Sequence, residues 1–329
     1  MAHQTLEPRD GIDVIRPLVA IVVLNWNNER DTLACLASLE RLEYTQVVTI
    51  VVDNASTDHS VERIRATYPG VDVISNARNL GYAEGNNVGI TRALEYGSDY
   101  VLILNNDTVV EPAALSELVA AAEVNPKAGI LGPTVLCAEP EDRLFAAGGF
   151  IDWKRGIAVQ RGRFQPAASY SHLVQAEIVD FVPGCALLVR RSLIESIGAL
   201  SKRYFLNFED VEWCVRAQQA GRVVLYVPKA IIWHRISATL GRASPANTYY
   251  MTRNALLFFW KIAPMPIRVL AVAHIIGRTL RTLAAWTLKP QYRTEGYRRN
   301  RAACVFAMRD FFLNRFGQMG PDVAGYCGV

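Results

Sequence analysis

The sequence predicts an α/β protein built on a mixed, mostly parallel sheet flanked by helices. Short apolar runs of strand type alternate with segments of helical period through the first hundred residues, the pattern of βαβ units and a parallel sheet. The runs are continuous rather than alternating, as expected of strands covered on both faces. Each run ends in a cluster of Asn, Asp or Ser. Those clusters therefore fall together at the carboxyl edge of the sheet, where open α/β sheets bind ligands.

Residues 1–16 read as a loose polar tail; with Glu7, Asp10 and Asp13 and no apolar segment, no signal peptide is expected. Pro17 introduces a strand over 18–24, broken by Asn25-Trp26-Asn27-Asn28. A helix over 29–42 places Leu33, Leu36, Leu39 and Leu42 on one face. The strand over 47–52 ends in Asp53-Asn54-Ala55-Ser56-Thr57-Asp58, and the helix over 59–68 stops at Pro69-Gly70. A third strand covers 71–75, an Asn- and Gly-rich loop 76–87, a helix 87–96 and a fourth strand 99–104. This last run passes directly into Asn105-Asn106-Asp107, the most informative stretch of the chain. A carboxylate there, without a local partner, suits a hard cation such as Mg²⁺ or Mn²⁺ carrying a diphosphate. The triplet also reads as a turn before a helix starting near Glu111 and Pro112.

Further on, short strands are expected over 145–151 and 156–160, and strands over 178–182 and 186–189 flank Pro183-Gly184. A helix over 192–197 ends at Gly198. Asn207, with Asp210 three residues on, reads as the N-cap of a helix that runs to Ala220 and stops at Gly221. Strands over 223–227 and 231–233 follow, with His234 directly after. Over 265–288, Val269, Val272, Ile276, Leu280, Leu283 and Trp286 share one helical face, with His274, Arg278 and Arg281 opposite. The expected division is a tail (1–16), a main domain (17–258, in halves 17–110 and 111–258) and a C-terminal helical region (259–329).

At 51% apolar and 20% charged residues, the 329-residue chain is of globular type. Its net charge of +4 is unevenly spread. Between Arg253 and Arg315 twelve Lys or Arg stand against two acidic residues, so the remainder of the chain is net acidic. A basic, amphipathic C-terminal region fits an anionic membrane surface; the same helix also suits packing on the body with its arginines in water. No nucleic-acid motif accompanies the charge, so nucleic acid is not expected as a partner. No run of 18 uncharged apolar residues exists, so no transmembrane helix is expected. The six scattered cysteines, with no C-x-x-C pair, suggest structural thiols in a reducing compartment. There is no phosphate-binding G-x-x-x-x-G-K-[ST] loop and no G-x-S-x-G elbow. Gly81-Tyr82-Ala83-Glu84-Gly85 follows the wrong strand for a dinucleotide fingerprint, which disfavours a nicotinamide enzyme.

What remains is a sheet edge with Asp53 and Asn54, Asp107, the pair Glu209-Asp210 at a helix start, and His234. Sugar transfer from a nucleoside diphosphate needs such parts: partners for base and ribose, a cation for the departing diphosphate, and one general base for the acceptor hydroxyl. As simple structural features, Glu209 and Asp210 would complement a helix dipole and His234 would be a satisfied strand-end histidine. Trp213, one turn after Asp210, is placed either to stack on an acceptor sugar or to fill the core. Trp26 reads as a core residue, and Asn86 and Asn87 as turn residues or donor contacts.

The chain resembles the inverting family-2 glycosyltransferases of the GT-A fold, particularly the bacterial rhamnosyltransferase-like branch, over about residues 17–258. The resemblance is carried by Val22-Val23-Leu24-Asn25-Trp26-Asn27, by Val51-Val52-Asp53-Asn54-Ala55-Ser56-Thr57-Asp58, and by Asn79-Leu80-Gly81-Tyr82-Ala83-Glu84-Gly85-Asn86-Asn87-Val88-Gly89. Asn105-Asn106-Asp107 stands where the family has Asp-x-Asp. Pro183-Gly184-Cys185-Ala186, Phe208-Glu209-Asp210-Val211-Glu212, Trp233-His234 and Tyr249-Tyr250-Met251-Thr252-Arg253-Asn254 follow in order. Asn54, in place of a frequent Asp, and Ser201, in place of the Asp of Gly-Phe-Asp-Glu, depart from the pattern.

The resemblance implies that Asp53 and Asn54 contact base and ribose, with Asn25, Asn27, Asn79, Gly81, Asn86, Asn87, Asn105 and Asn106 completing the donor site. It implies Asp107 and His234 as ligands of a divalent cation (Mn²⁺ or Mg²⁺) and Asp210 as general base; Glu209 and Trp213 are the candidate acceptor contacts. The expected activity moves rhamnose or a related sugar from a dTDP- or UDP-linked donor to a polyprenyl-linked or cell-surface glycan. The expected location is cytoplasmic, peripheral on the inner face of the plasma membrane, and a homo-oligomer is compatible with the sequence. The competing readings are a non-catalytic membrane assembly partner and a sugar-phosphate nucleotidyltransferase. The latter would need a Gly-rich basic loop that residues 25–30 lack.

Overall fold

The computed structural model describes residues 16–235 and 244–327; the expectation of a loose tail without a signal peptide concerns residues outside these, Arg16 apart. The described residues begin with β1 (Val19–Asn25), α1 (Glu29–Leu39), β2 (Val47–Asp53), α2 (Ser60–Thr67), β3 (Asp72–Ser75), α3 (Gly81–Glu95) and β4 (Tyr100–Asn105). β1 lies between β2 and β4, and β3 lies outside β2, all parallel. Val19 to Val23 of β1 are fully buried, which is why the run is apolar at every position. Helix α3 starts at Gly81, six residues before the expected Asn87. Its Asn and Gly residues disguise it as a loop, because they are poor helix formers whose value here lies in close packing.

The second half contributes β5 (Thr108–Val110), α4 (Ala114–Val124), β6 (Ala128–Cys137), β7 (Leu144–Ala146), β8 (Gly149–Asp152), β9 (Ile157–Gln160), β10 (Glu177–Ile178), β11 (Ala186–Arg190), α5 (Arg191–Ile197), α6 (Glu209–Gln219) and β12 (Val223–His234). The main sheet runs β10-β12-β6-β11-β4-β1-β2-β3, with β5 on β12 and β7 on β6. β11 is antiparallel to both β4 and β6, whereas β6 and β12 are parallel. Strand β6 carries Gly129, Gly132 and Pro133, which mask it in the sequence. The two strands expected over 223–233 are one, irregular between Val227 and Ile231 where Pro228 offers no N–H to the ladder. Leu36, Ile64 and Leu115 of α1, α2 and α4 pack on one face of the sheet. Ile90, Trp213 and Leu256 pack on the other.

Four α-helices follow among the described residues: α7 (Pro245–Ile262), α8 (Ile267–Leu288), α9 (Glu295–Phe312) and α10 (Pro321–Cys327). Ser244 caps α7 by accepting from Asn247 N–H, with Pro245 in the first turn. Position 258, the expected end of the main domain, lies inside α7, and Leu256 to Phe259 are buried in the core of the body. The α8 face that meets the body is Ala271, Val272 and Ile275, whereas Val269 and Leu280 of the expected apolar face are each 52% exposed. Arg278, expected opposite that face, reaches the carbonyls of Arg155 (3.2 Å) and Gly156 (3.0 Å). His274 Nδ1 lies 2.8 Å from Lys154 O. The turn before β9 thus draws these polar heads inward to satisfy its carbonyls. Among the described residues no helix is long and apolar enough to cross a membrane.

Candidate active site

The ends of β1, β2 and β4 are joined by one polar network. Asn25 Oδ1 accepts from Thr32 Oγ1 (2.6 Å) and Asn106 Nδ2 (3.2 Å), and its Nδ2 donates to Asp53 Oδ1 at 2.8 Å. Asp53 also accepts the Ser56 hydroxyl (2.5 Å) and N–H (3.0 Å). Asn54 Nδ2 donates to Gly81 O (2.9 Å) and Asn79 Oδ1 (3.3 Å), while its Oδ1 accepts from Asn76 Nδ2 (2.9 Å) and Leu80 N (3.4 Å). Both its donors and its acceptor are therefore engaged within the protein, and its side chain holds the 76–81 loop in place.

Other asparagines of the expected set are also tied into the fold. Asn27 Oδ1 accepts from Thr57 N at 2.6 Å. Asn87 pairs both ways with the Leu200 backbone, at 2.8 and 3.0 Å. Asn86 is buried, its Nδ2 donating to Tyr82 O (2.9 Å) and its Oδ1 lacking a partner among the described residues.

Asp107 and His234 converge through sheet register. β5 pairs antiparallel with the end of β12, setting Thr108 opposite His234. Asp107 Oδ1 and His234 Nε2 stand 3.1 Å apart with both side chains about nine-tenths buried. The contact lacks hydrogen-bond geometry, so Asp107 Oδ1 is buried without a hydrogen-bond partner among the described residues, and so, separately, is the other ring nitrogen, His234 Nδ1. Phe145 packs its ring edge-to-face on His234 at 4.8 Å. A carboxylate oxygen beside an imidazole nitrogen fits a hard cation that draws its remaining ligands from a diphosphate and water. No group of three His, Cys, Asp or Glu able to hold a metal is assembled among the described residues.

Asp210 opens α6. Its Oδ2 accepts the Gly184 N–H and its Oδ1 the Val211 N–H, both at 2.8 Å. Burial raises its pKa, and these backbone donors oppose the rise. Burial, and then the Asp210 charge, push Glu209 well above the usual carboxylate range, and its Oε2 has no hydrogen-bond partner among the described residues. Asn105 N–H, at the end of β4, donates to Cys185 O at 2.9 Å, so the turn that holds Asp210 lies beside the strand end that leads into Asp107. Asn207 is not the N-cap. Phe208 takes that position, and both residues have left-handed backbone (φ 68 and 72). The Asn207 amide instead donates to Asn247 Oδ1 at 3.0 Å. Trp213 is fully buried with Nε1 donating to Gly198 O at 2.9 Å, so it fills the core and offers no face to an acceptor.

A cavity of about 340 Å³ opens at this edge, bordered by Asn54, Asn79, Gly81, Asn105 and Asn106 of the expected set. It is bordered equally by residues that sequence patterns miss: Trp26, Tyr82, Phe205, Leu206, Tyr250 and, from the far C-terminus, Gln318 and Met319. Trp26, expected in the core, is only partly buried and lines this cavity. Gly81 makes the wall possible: its φ is +78, and a Cβ there would stand 2.5 Å from Phe205 O. Phe205 and Tyr250 stack at 5.3 Å. An aromatic wall facing asparagine amides suits a planar ring with polar edges.

A family model described as "Glycosyltransferase like family 2" matches residues 16–250. This chain belongs to that family. The glycosyltransferase is 29% identical over 229 residues to an N-acetylglucosaminyl-diphospho-decaprenol L-rhamnosyltransferase of Mycobacterium tuberculosis, covering 64% of this chain and 74% of the relative. It is 21% identical over 294 residues to a dTDP-rhamnosyl transferase of Shigella flexneri, covering 82% and 90%. Its fold is GT-A. A mannosyltransferase from Pyrobaculum calidifontis, crystallised with GDP-Man and Mn²⁺, superposes with a TM-score of 0.54 at 17% identity, covering 92% of this chain and 89% of that one.

Proposed function

We propose that this glycosyltransferase moves rhamnose from a dTDP-linked donor to a hydroxyl of a polyprenyl-linked glycan, with inversion, in one displacement. The observation that carries the mechanism is that the turn holding Asp210, through Gly184 N–H, is hydrogen-bonded to the end of β4 that leads into Asp107, Asn105 N–H donating to Cys185 O at 2.9 Å. Asp210 takes the acceptor hydroxyl proton as that oxygen bonds to the anomeric carbon; the bond from that carbon to the diphosphate oxygen breaks on the opposite face. Its raised pKa makes it a stronger base than an ordinary Asp. Asp107 and His234 would hold a divalent cation, which when bound neutralises charge on the departing diphosphate. The cavity between Trp26 and the asparagines at the strand ends is proposed to seat the nucleotide. The rhamnose and dTDP assignments, and the lipid-linked acceptor, draw support from what the two relatives are named for.

Membrane contact is proposed for the C-terminal helices, where Met265, Val269 and Leu288 are 65%, 52% and 72% exposed among basic residues. Reversing the exposed charges Lys261, Arg281 and Lys289 should weaken flotation of the full chain with anionic vesicles. Unchanged flotation would remove this part. The donor is tested by thermal stabilisation with dTDP-, UDP- and GDP-sugars, with and without Mn²⁺. A Mn²⁺-dependent shift with dTDP-rhamnose alone is expected, and a shift confined to another donor would overturn the assignment.

A further inference from the structure

We infer that Tyr82 is a positioning residue for the base, acting on Asp210 through the Gly184 peptide units. The inference rests on the reading of Asp210 as the base. The Tyr82 hydroxyl donates to Gly184 O, and Gly184 N–H donates to Asp210 Oδ2 at 2.8 Å. The other carboxylate oxygen is held by Val211 N–H, a bond made within the helix itself. The Gly184 bond is therefore the only one of the two that sets the carboxylate relative to the rest of the molecule, and Tyr82 fixes the residue that makes it. A Cβ at position 184 would stand 3.0 Å from the Tyr82 hydroxyl oxygen and 3.3 Å from Asp210 Cβ. Glycine is thus what lets the three groups close on one another.

Tyr82 is itself held at both ends. Its N–H donates to Phe205 O at 2.7 Å, and the carbonyl of Gly81 before it accepts from Asn54 at 2.9 Å. Burial, with the charges of Glu209 and Asp210 beside it, keeps the hydroxyl protonated and hence a donor. Gly81 and Tyr82 also border the cavity. The residues that shape the proposed donor site therefore brace the base as well, so the acceptor hydroxyl meets a carboxylate already aimed at it.

The test is steady-state kinetics of Tyr82→Phe beside the unaltered protein and Asp210→Asn. The substrates are dTDP-, UDP- and GDP-sugars with Mn²⁺ and a short-chain polyprenyl diphosphate N-acetylglucosamine acceptor. Tyr82→Phe keeps the ring and removes the donor; kcat should fall about tenfold to a hundredfold while donor KM moves less than about twofold. Unchanged kcat, or a loss confined to KM, overturns the inference. If Tyr82→Phe does not fold, Gly184→Ala, which drives a methyl against both partners, should give the same loss in kcat with donor binding kept; unchanged kcat overturns the inference there too. Full turnover by Asp210→Asn removes the base reading itself, whereas loss in Asp210→Asn with none in Tyr82→Phe removes only the role of Tyr82. If the unaltered protein uses none of these donors, both fall.

Discussion

Arg253 is the most informative position at which to perturb the link between the C-terminal helices and the site. It is 1% exposed. Its guanidinium donates to Gly317 O at 2.8 Å, Asn254 Oδ1 at 3.0 Å and Tyr249 Oη at 3.1 Å. It also lies 5.0–5.7 Å from the ring centres of Tyr249, Tyr250 and Phe316. Arg253→Met keeps much of the aliphatic stem and removes every donor. Hydrogen bonds to a charged group contribute roughly 1.5–3 kcal/mol each, but the guanidinium also loses a large desolvation penalty when it is deleted. The net cost should then be about 3–5 kcal/mol, as for breaking a buried charged network. At roughly 2–4 °C per kcal/mol for a chain of a few hundred residues, Tm should fall by about 10 °C. The bond to Gly317 holds the segment that carries Gln318 and Met319 into the cavity. Donor-induced stabilisation should therefore weaken along with Tm. Scanning calorimetry with and without donor reads both. A Tm within about 2 °C of the unaltered protein would show that Arg253 is dispensable to this packing.

Two further outcomes follow from the site itself. Asp107→Ala removes the unpartnered oxygen beside His234; Mn²⁺-dependent stabilisation by the donor should vanish in a thermal-shift assay, while Tm without ligand changes little. Glu209 has its folded-state pKa raised by burial, so the folded protein binds its proton more tightly than the unfolded chain. Through this group stability should fall as pH rises from the ordinary carboxylate range to the raised pKa, and Glu209→Gln should flatten that part of the Tm–pH curve. A slope unchanged by Glu209→Gln would contradict the assigned cause.

The half of the site made by strand ends was legible because period and polarity there are local properties. Continuous apolar runs placed β1, β2 and β4, and the polar clusters at their ends do meet, with Asn25 bonded to Asp53 and Asn106. The other half depends on contacts between distant residues. That Met319 borders the same cavity as Asn54 follows from helices folding back over α7, for which no local pattern exists. Of the two tryptophans, Trp213 takes the core place, one of the two open to it, and Trp26 lies at the cavity against expectation, because an isolated aromatic carries no signal of the direction it faces. The start of α3 and strand β6 were hidden by glycine, asparagine and proline, whose fitness there is set by what packs against them.

Asp210 is proposed as the base of a single displacement. Its most direct test compares Asp210→Asn with the unaltered protein for turnover of dTDP-rhamnose onto a lipid-linked acceptor, with donor affinity measured in parallel by calorimetry in Mn²⁺. The side chains are nearly the same size, so donor affinity should be unchanged while turnover falls at least about a hundredfold. Turnover retained at the level of the unaltered protein would contradict that role.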